Sequence, residues 1–201
     1  VVLLRKPRKG WLLSLIALLV PVGIFAVLGA IRSQAADIPP IHDIATDSAN
    51  PPVFSQTVLD QRAAAGANPL NDYATPLGEL EMWSESEPPL ADRSHAQVIA
   101  AAYPDLAPLP LGSTSPAEAA ELVVSAMEEM GFDQVTADAG TGRIEGVAET
   151  FWFGFKDDMV VRIADGAIDF RSVSRVGVSD LGANAARIAA LRDAVAERLN
   201  R

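Results

Sequence analysis

The sequence of 201 residues contains no cysteine and only two histidines, His42 and His95. Without cysteine the protein has no disulfide, no thiolate nucleophile and no cysteine metal site. The motifs His-Glu-x-x-His and Gly-x-Ser-x-Gly, typical of metalloproteases and serine hydrolases, are absent as well. We therefore predict a protein that is not an enzyme and that needs no cofactor. A hydrolase of unknown substrate is kept as an alternative.

Basic residues are scarce beyond the first 32 positions. Five of the 16 basic residues lie at positions 5–32, so residues 33–201 carry 11 basic against 26 acidic residues, a net charge of −15. Nucleic acid and anionic lipid headgroups would repel such a region, which argues against both as its partners. The charge favours solubility or a basic partner surface.

One uncharged run stands out near the N-terminus, at residues 11–31. As a helix these 21 residues would span about 31 Å, which matches the hydrocarbon core of a bilayer. Four basic residues precede the run and only Arg32 follows it, so the positive-inside rule predicts a cytoplasmic N-terminus in a bacterial inner membrane. Residues from 33 onward would then lie in the periplasm.

A cleaved signal peptide is the alternative for this run, because residues 33–35 loosely resemble a cleavage site. The apolar core of a signal peptide is usually about 7–15 residues long, so a retained transmembrane helix is favoured. Residues 1–10 form a basic segment that begins Val1-Val2-Leu3-Leu4, without methionine. We interpret this segment as the end of an earlier membrane helix, a trimmed start, or a valine start codon written literally.

Residues 32–112 are rich in proline: 11 of the 14 prolines lie between positions 33 and 112. Proline fixes φ and donates no backbone hydrogen bond, so only short helices are predicted, at 54–65 and 92–102. Apolar residues nevertheless recur along this segment, which is unlike a disordered linker. We predict an extension that crosses the folded domain and covers apolar surface of its sheet.

For residues 113–201 the sequence predicts a compact α+β domain, in which two helices flank a four-stranded antiparallel meander. Ser115 and Pro116 begin the first helix, and Asp180 or Ser179 begins the second, which runs to about Leu199. The strands are predicted at 132–137, 143–155, 159–164 and 167–176, with Gly140-Thr141-Gly142, Asp157-Asp158 and Asp165-Gly166 as turns.

The Asp165-Gly166 turn fixes the register of the last two strands. A two-residue loop pairs Ala164 with Ala167 and Arg162 with Asp169, which allows an ion pair across the strands. The opposite face carries Val161, Ile163, Ile168 and Phe170, and it is predicted to pack against the helices.

A run of aromatic residues, Phe151-Trp152-Phe153-Gly154-Phe155, lies in the second predicted strand. If Asp157-Asp158 is a two-residue turn, Phe151, Phe153 and Phe155 share the face that carries Arg162. Such a row could bind a partner or a ligand, with cation–π contributions. The alternative, which we favour, is that the proline-rich extension covers it.

Several segments together resemble a known family, catalogued as domain of unknown function 1499. The most specific is the run from Ile168 to Ile188, and residues 40–52, 103–106 and 150–158 are similar as well. The resemblance covers about residues 38–190. It implies a fold and one or two membrane helices ahead of the domain, but no established activity.

Polar residues of the hallmark run, residues 171–187, are candidates for binding an anion or the acidic side chain of a partner. They lie where a strand ends and a helix begins, and a helix N-terminus with nearby arginines holds anions well. The candidates are Arg171, Ser172, Ser174, Arg175, Asp180, Asn184 and Arg187. In the favoured alternative, Asp180 caps the helix and these arginines pair with it and with Asn184. His42 and Asp43 are weak candidates for a metal site.

These observations predict a membrane-anchored periplasmic accessory or interaction protein, a subunit or scaffold of an envelope complex. Its partners would be the bilayer, through residues 11–31, and other proteins of that complex, and not nucleic acid. A periplasmic module that binds a lipid or an anion is the alternative.

Overall fold

The computed structural model describes residues 10–35, 38–150 and 153–200, and these fall into two compact units divided between Ile38 and Pro39. The first unit contains helix α1, Trp11–Ala35. Its stretch Trp11–Gly29 is long and apolar enough to cross a membrane. The basic segment ahead of it, which is predicted to be cytoplasmic, has its charged residues at positions 5–9, outside the described residues.

The second unit is an α+β fold with four helices and six strands in the described residues. The helices are α2 (Gln56–Ala64), α3 (His95–Ala102), α4 (Pro116–Glu129) and α5 (Ala183–Leu199). The strands are β1 (Asp43–Ala45), β2 (Leu109–Pro110), β3 (Asp133–Asp138), β4 (Arg143–Glu149), β5 (Lys156–Ala164) and β6 (Ala167–Ser174). Two short 3-10 turns, Leu77–Glu79 and Glu81–Trp83, precede α3.

All six strands belong to one antiparallel sheet with the order β1-β6-β5-β4-β3, and β2 also pairs with β6. The predicted meander is therefore present, but the count of four strands was wrong. β1 and β2 both come from the proline-rich segment, and they share the outer edge of β6, at residues 171–173 and 167–168. Together they pair an edge that four strands alone would leave open.

The hairpin register predicted from Asp165-Gly166 is confirmed. Both turn residues have positive φ, and the pairs run from Ala164 with Ala167 to Val161 with Phe170. Arg162 Nη2 donates to Asp169 Oδ2 at 2.8 Å. Val161, Ile163, Ile168 and Phe170 belong to the main core, as the alternation along the strands predicts.

The predicted turn at Asp157-Asp158 was wrong. Both aspartates are buried inside β5, and the chain reverses earlier, between Glu149 and Lys156. Thr150 closes that loop, because its N–H donates to Phe155 O and its hydroxyl accepts from Phe155 N, each at 2.9 Å. Phe153 and Phe155 therefore lie in a loop and not on the strand face that carries Arg162. Phe151 and Trp152 lie outside the described residues.

Apolar side chains pack on both faces of the sheet. On one face, α4 and α5 bury Met127, Ile188 and Leu191 in the main core, together with Phe170. On the other face a smaller cluster consists of Phe54, Val160 and Val173, with Val58 and Leu59 of α2 against it. The proline-rich segment also contributes Tyr73, Leu77 and Trp83 to the main core.

Helix α4 begins with a capping residue that offers a direct stability test. The Ser115 hydroxyl accepts from Glu118 N at 3.2 Å, and Pro116 occupies the first helical position. Replacing Ser115 by alanine should lower the free energy of unfolding by about 1 kcal/mol, whereas glycine should cost only a few tenths. Urea titration of the full chain in mild detergent measures both. Equal losses for the two variants would contradict the capping role.

Candidate functional site

The hallmark run divides its side chains between the two faces of the sheet, because successive residues of a strand point in opposite directions. Arg171 and Arg175 lie on the face that α2 covers, where they meet Asp43 and Asp158. Ser172 and Ser174 lie on the face of α5 and bind Asn184. The sequence thus places two polar networks back to back at the end of β6.

The first network contains a buried ion pair between Arg171 and Asp43. Arg171 donates through Nε to Asp43 Oδ1 at 2.9 Å and through Nη2 to Oδ2 at 2.7 Å. Asp43 also accepts from the Tyr73 hydroxyl and from Asn71 N. The Arg171 guanidinium also packs over the rings of Phe54 and Tyr73, 5.8 and 5.2 Å from their centroids.

The pKa values of this group follow from its burial and its charges. Burial raises the pKa of Asp43, but the charge and hydrogen bonds of Arg171, with those of Tyr73 and Asn71, outweigh it and leave that pKa below its ordinary value. Burial and the neighbouring Asp43 carboxylate raise the pKa of Tyr73 well above its ordinary value. The pair is therefore ionised, and the tyrosine hydroxyl acts only as a donor.

Asp158 joins two further arginines on the same face. Arg175 donates to Asp158 Oδ1 at 2.6 Å and, through Nε, to Oδ2 at 3.0 Å. Arg62 reaches the same carboxylate from α2 and also donates to Asn68 O at 2.8 Å. One buried carboxylate thus holds the last turn of α2 against the end of β6.

The second network faces α5 and is centred on Asn184. Its Oδ1 accepts from the Ser172 hydroxyl at 2.6 Å and from Arg187 at 2.7 Å, and its Nδ2 donates to Ser174 and to His42 O. Arg187 donates in addition to Asp157 Oδ2 at 2.7 Å. These contacts join β6, β5, α5 and the start of β1.

Asp180 occupies the N-terminus of α5. Its carboxylate accepts from Gly182 N at 2.8 Å and from Asn184 N at 2.9 Å, which are the groups that a bound anion would use. Burial raises the pKa of Asp180 above its ordinary value, and these two N–H groups lower it only in part. Asp180 thus caps the helix, but Arg171, Arg175 and Arg187 take Asp43, Asp158 and Asp157 as their carboxylate partners instead.

Two buried histidines lie among aromatic rings beside the first network. His42 stacks on Trp83, and His95 stacks on Tyr73 and meets Trp83 edge-on at 4.9 Å. Within the described part of the chain, neither ring nitrogen of His95 has a hydrogen-bond partner. Burial lowers the pKa of His42, and it lowers that of His95 from 6.5 to about 4.

His42 and Asp43, the weak candidates for a metal site, are engaged by different neighbours. Asp43 is held by Arg171, whereas His42 packs on Trp83 and brings Nδ1 to 3.4 Å from Val178 O. In residues 10–35, 38–150 and 153–200, no cluster of three or more histidine, aspartate or glutamate side chains could hold a metal ion.

The described aromatic candidates lie on an exposed loop at the same end of the sheet. Phe153 and Phe155 are 76 % and 51 % exposed, and their rings stack with centroids 5.5 Å apart. The favoured expectation that the proline-rich segment covers them was therefore wrong for these two residues. Arg175 N donates to Lys156 O at 2.9 Å, so the loop that follows β6 begins next to this one.

That second loop carries apolar side chains that the sequence analysis missed. Val176, Val178 and Leu181 are all exposed, and Leu181 is so to 62 %. We name Phe153, Phe155, Val176, Val178 and Leu181 the loop patch. The sequence signal was available: three apolar residues stand among glycine, serine and aspartate between a strand and a helix, where polar residues are usual.

Two grooves lie away from these networks. One of about 720 Å³ runs between α4 and the turn after β3, at the opposite end of the sheet, with Ala120, Val124 and Ala137 in its walls. The other, of about 300 Å³, lies between α2 and strands β3 and β4. Neither is lined by a candidate residue of the hallmark run or of the aromatic run.

Comparison with known proteins agrees with the resemblance seen in the sequence. A family model described as "Protein of unknown function (DUF1499)" matches residues 43–195. The match begins at Asp43, includes the side chains of both polar networks and ends in α5. No curated protein matches the chain.

Proposed function

The chain belongs to the DUF1499 family, and on that premise we propose that it is a membrane-anchored accessory protein that acts by binding and not by catalysis. Helix α1 would hold it in a bacterial inner membrane, with the N-terminus in the cytoplasm and the unit from Pro39 onward in the periplasm. There it would serve as a subunit or scaffold of an envelope complex.

The anchor is supported by the composition of the N-terminal region. Helix α1 contains a stretch long enough to cross a bilayer, and four basic residues lie at positions 5–9 ahead of it, against Arg32 alone directly after the uncharged run. A helix that merely targets the chain for export would usually have a shorter apolar core. Retention of α1 confines the domain to the membrane surface, where its partners would be other membrane proteins.

Binding, as opposed to catalysis, is supported by how the hallmark residues are used. Arg171, Arg175 and Arg187 each hold a carboxylate of the same chain, and Asp180 fills the N-terminus of α5. Each of these charges is needed to compensate its buried partner, so it is poorly placed to act on a substrate.

The loop patch is the observation that carries the proposal. An exposed cluster of apolar side chains on a soluble domain usually marks an interaction surface. Here two stacked phenylalanines and three aliphatic side chains lie on neighbouring loops at one end of the sheet. Arg175 N bonded to Lys156 O, and Asp180 bonded to Asn184 N, connect these loops to the strands and the helix that carry the polar networks.

The proposal is tested by extracting the tagged full-length chain from membranes in mild detergent and separating it on native gels. We expect it to migrate in an assembly larger than the monomer. In the double variant Phe153→Ser/Phe155→Ser, we expect the assembled fraction to fall by about an order of magnitude, as loss of a central apolar contact implies.

Val53→Ser is the matched control, because Val53 is also exposed, to 67 %, but lies outside the loop patch. This variant should assemble like the parent chain. A chain that migrates only as a monomer in every extract would contradict the accessory role.

A further inference from the structure

One edge of the sheet is not covered by any strand in the described part of the chain. The outer edge of β6 pairs with β1 and β2, whereas β3, at the other end of the strand order, has β4 as its neighbour on one side and solvent on the other. Five of the six side chains of β3 are exposed. An open edge of this kind presents unpaired N–H and C=O groups to which another chain can bond.

The backbone of Ala137 points out of this edge. Ile163 N donates to Gly142 O at 2.8 Å, so Gly142 directs its hydrogen-bonding groups toward β5. Ile144, two residues further along β4, points the same way, because the direction alternates along an antiparallel strand. Ala137 lies opposite Ile144. Its N–H and C=O therefore point away from β4 and into solvent.

The two grooves described above flank this strand, one on each face of the sheet. The larger groove lies between β3 and α4, on the side of the main core, and the smaller groove lies between β3, β4 and α2. Ala137 lines both of them. Because the side chains of a strand alternate between the two faces, a strand added beside Ala137 would place its side chains in the two grooves in turn.

The larger groove fits the side chain of arginine or lysine. Its apolar walls include Ala120 and Val124 of α4, and Glu121 and Glu128, both exposed, are the charged residues that line it. A long basic side chain can lay its aliphatic part along such walls while its charged end reaches a carboxylate.

The smaller groove fits small polar side chains. Its hydroxyl and amide groups belong to Ser55, Thr57, Gln61, Gln134 and Thr136. The charged groups in its walls are already engaged, because Arg143 donates to Asp138 Oδ2 at 3.3 Å and Glu145 accepts from Ser55 N at 2.6 Å. A threonine or serine of an added strand would find hydrogen-bond partners there without displacing an ion pair.

We infer that the free edge of β3 receives an extended basic segment of a partner protein, which adds an antiparallel strand with basic side chains toward α4 and small polar ones toward α2. The inference rests on the binding role of the proposed function and gives that role a second contact besides the loop patch. An antiparallel strand continues the pattern of the sheet, in which all pairs are antiparallel, and such pairing is the more stable kind per residue.

Charge decides between a basic partner and a second copy of this chain. Four carboxylates line the two grooves, those of Glu121, Glu128, Asp138 and Glu145, against the single guanidinium of Arg143. Residues 33–201 carry a net charge of −15. A second copy would bring the same carboxylates to the edge and be repelled, whereas a basic segment would be attracted.

A peptide with this alternation, acetyl-Arg-Thr-Arg-Thr-Arg-Thr-amide, tests the mode of binding. In an antiparallel pair the residue opposite Ala137 shares its face and points its N–H toward it, so the arginines that face α4 also bond to β3. Methylating the backbone nitrogens of the three arginines should weaken binding about tenfold, through loss of these hydrogen bonds. Methylating those of the three threonines, which point away from β3, should leave binding unchanged.

Fluorescence anisotropy of the rhodamine-labelled peptides, with the full-length chain in mild detergent, measures both affinities. The two methylated peptides carry the same charge, so attraction by net charge alone cannot separate them. Equal affinities of the two would overturn the inference.

Variants of the chain test the same contacts from the other side. Ala137→Pro removes the outward N–H, which an edge strand tolerates, and should weaken binding of the unmethylated peptide about tenfold. Ala137→Ser keeps the N–H and is the matched control, which should bind like the parent chain. If urea titration shows that Ala137→Pro does not fold, the methylated peptides decide the question on the unaltered chain.

The acidic residues of the larger groove are tested by Glu121→Gln/Glu128→Gln. Removing the two carboxylates should weaken binding of the peptide roughly fivefold, as expected for two exposed ion pairs. Glu79→Gln/Glu81→Gln removes the same charge from exposed positions that line neither groove, and it should leave binding unchanged. Equal losses in the two double variants would contradict the proposed place of the basic side chains.

Native gels of membrane extracts separate this inference from the proposed function. An assembly that persists unchanged in Ala137→Pro overturns the inference and leaves the accessory role standing. Peptide binding that depends on the arginine N–H groups, in a chain that migrates only as a monomer, supports strand addition at the edge and contradicts the accessory role. A dimer of the purified chain that Ala137→Pro disrupts, seen by native mass spectrometry, assigns the edge to a second copy and overturns the inference.

Discussion

Replacing Asp43 by alanine is expected to lower the free energy of unfolding by about 3–5 kcal/mol, because the buried Arg171 loses its counter-charge. The pair lies inside the domain, with Asp43 0 % exposed and both carboxylate oxygens engaged by the guanidinium. The substitution also leaves the buried Tyr73 hydroxyl without the acceptor to which it donates. Urea titration of the full-length chain in mild detergent, followed by tryptophan fluorescence, measures the loss.

Asp47→Ala is the matched control. Asp47 is only four residues away and also pairs with a sheet arginine, Arg162, but the pair is partly exposed and Arg162 keeps Asp169 as a second partner. We expect a loss of about 1 kcal/mol or less. The double variant Asp43→Leu/Arg171→Met removes both buried charges and should recover a large part of the stability. Similar losses for Asp43→Ala and Asp47→Ala would show that burial of the pair has no energetic weight.

Acidification is expected to destabilise the domain through His95 as the pH falls from about 6.5 to about 4. The pKa of His95 is lowered from 6.5 to about 4 in the folded protein, so between these values the unfolded chain binds more protons. The contribution of His95 to the free energy of unfolding is therefore complete above about pH 6.5, falls as the pH drops and is lost below about pH 4. The shift corresponds to roughly 3 kcal/mol in total, of which about 2 should be lost by pH 5.

His95→Phe tests this expectation, because it keeps an aromatic ring beside Tyr73 and Trp83 but cannot be protonated. The variant should lose about 2 kcal/mol less than the parent chain between pH 7.5 and pH 5. His42, whose pKa is also lowered by burial, accounts for part of the loss that remains. Identical pH dependence of unfolding in the two chains would remove His95 as the cause.

The elements that could be predicted from the sequence are those set by local chemistry. Asp165-Gly166 accepts positive φ, so the turn and the register of β5 with β6 followed directly. Ser115 with Pro116 likewise located the start of α4. Strands β1 and β2 were missed because they have only three and two residues, lie close to prolines and owe their pairing to a β6 that comes later in the chain.

The sequence singled out the polar residues of the hallmark run as candidates, but it did not show which carboxylates their arginines would meet. The hallmark residues of β6 and α5 meet as expected, around Asn184. The pairing of the arginines was missed because Asp157-Asp158 has the composition of a turn. The Asp157-Asp158 pair is buried in a strand because Arg62, Arg175 and Arg187, from other parts of the chain, pair with its carboxylates. No local pattern shows such a long-range compensation of charge.

Because β1 and β2 both pair with β6, they can join the sheet only after β6 has been synthesised. Asp43 pairs with Val173, which lies near the C-terminal end of the chain, so β1 emerges from the ribosome long before the strand that it needs. Contacts between such distant segments form late, because a long loop must close first. The segment that contains β1 is thus left unpaired until β6 has been synthesised, and a truncated product lacking β6 would be an early target for quality-control proteases.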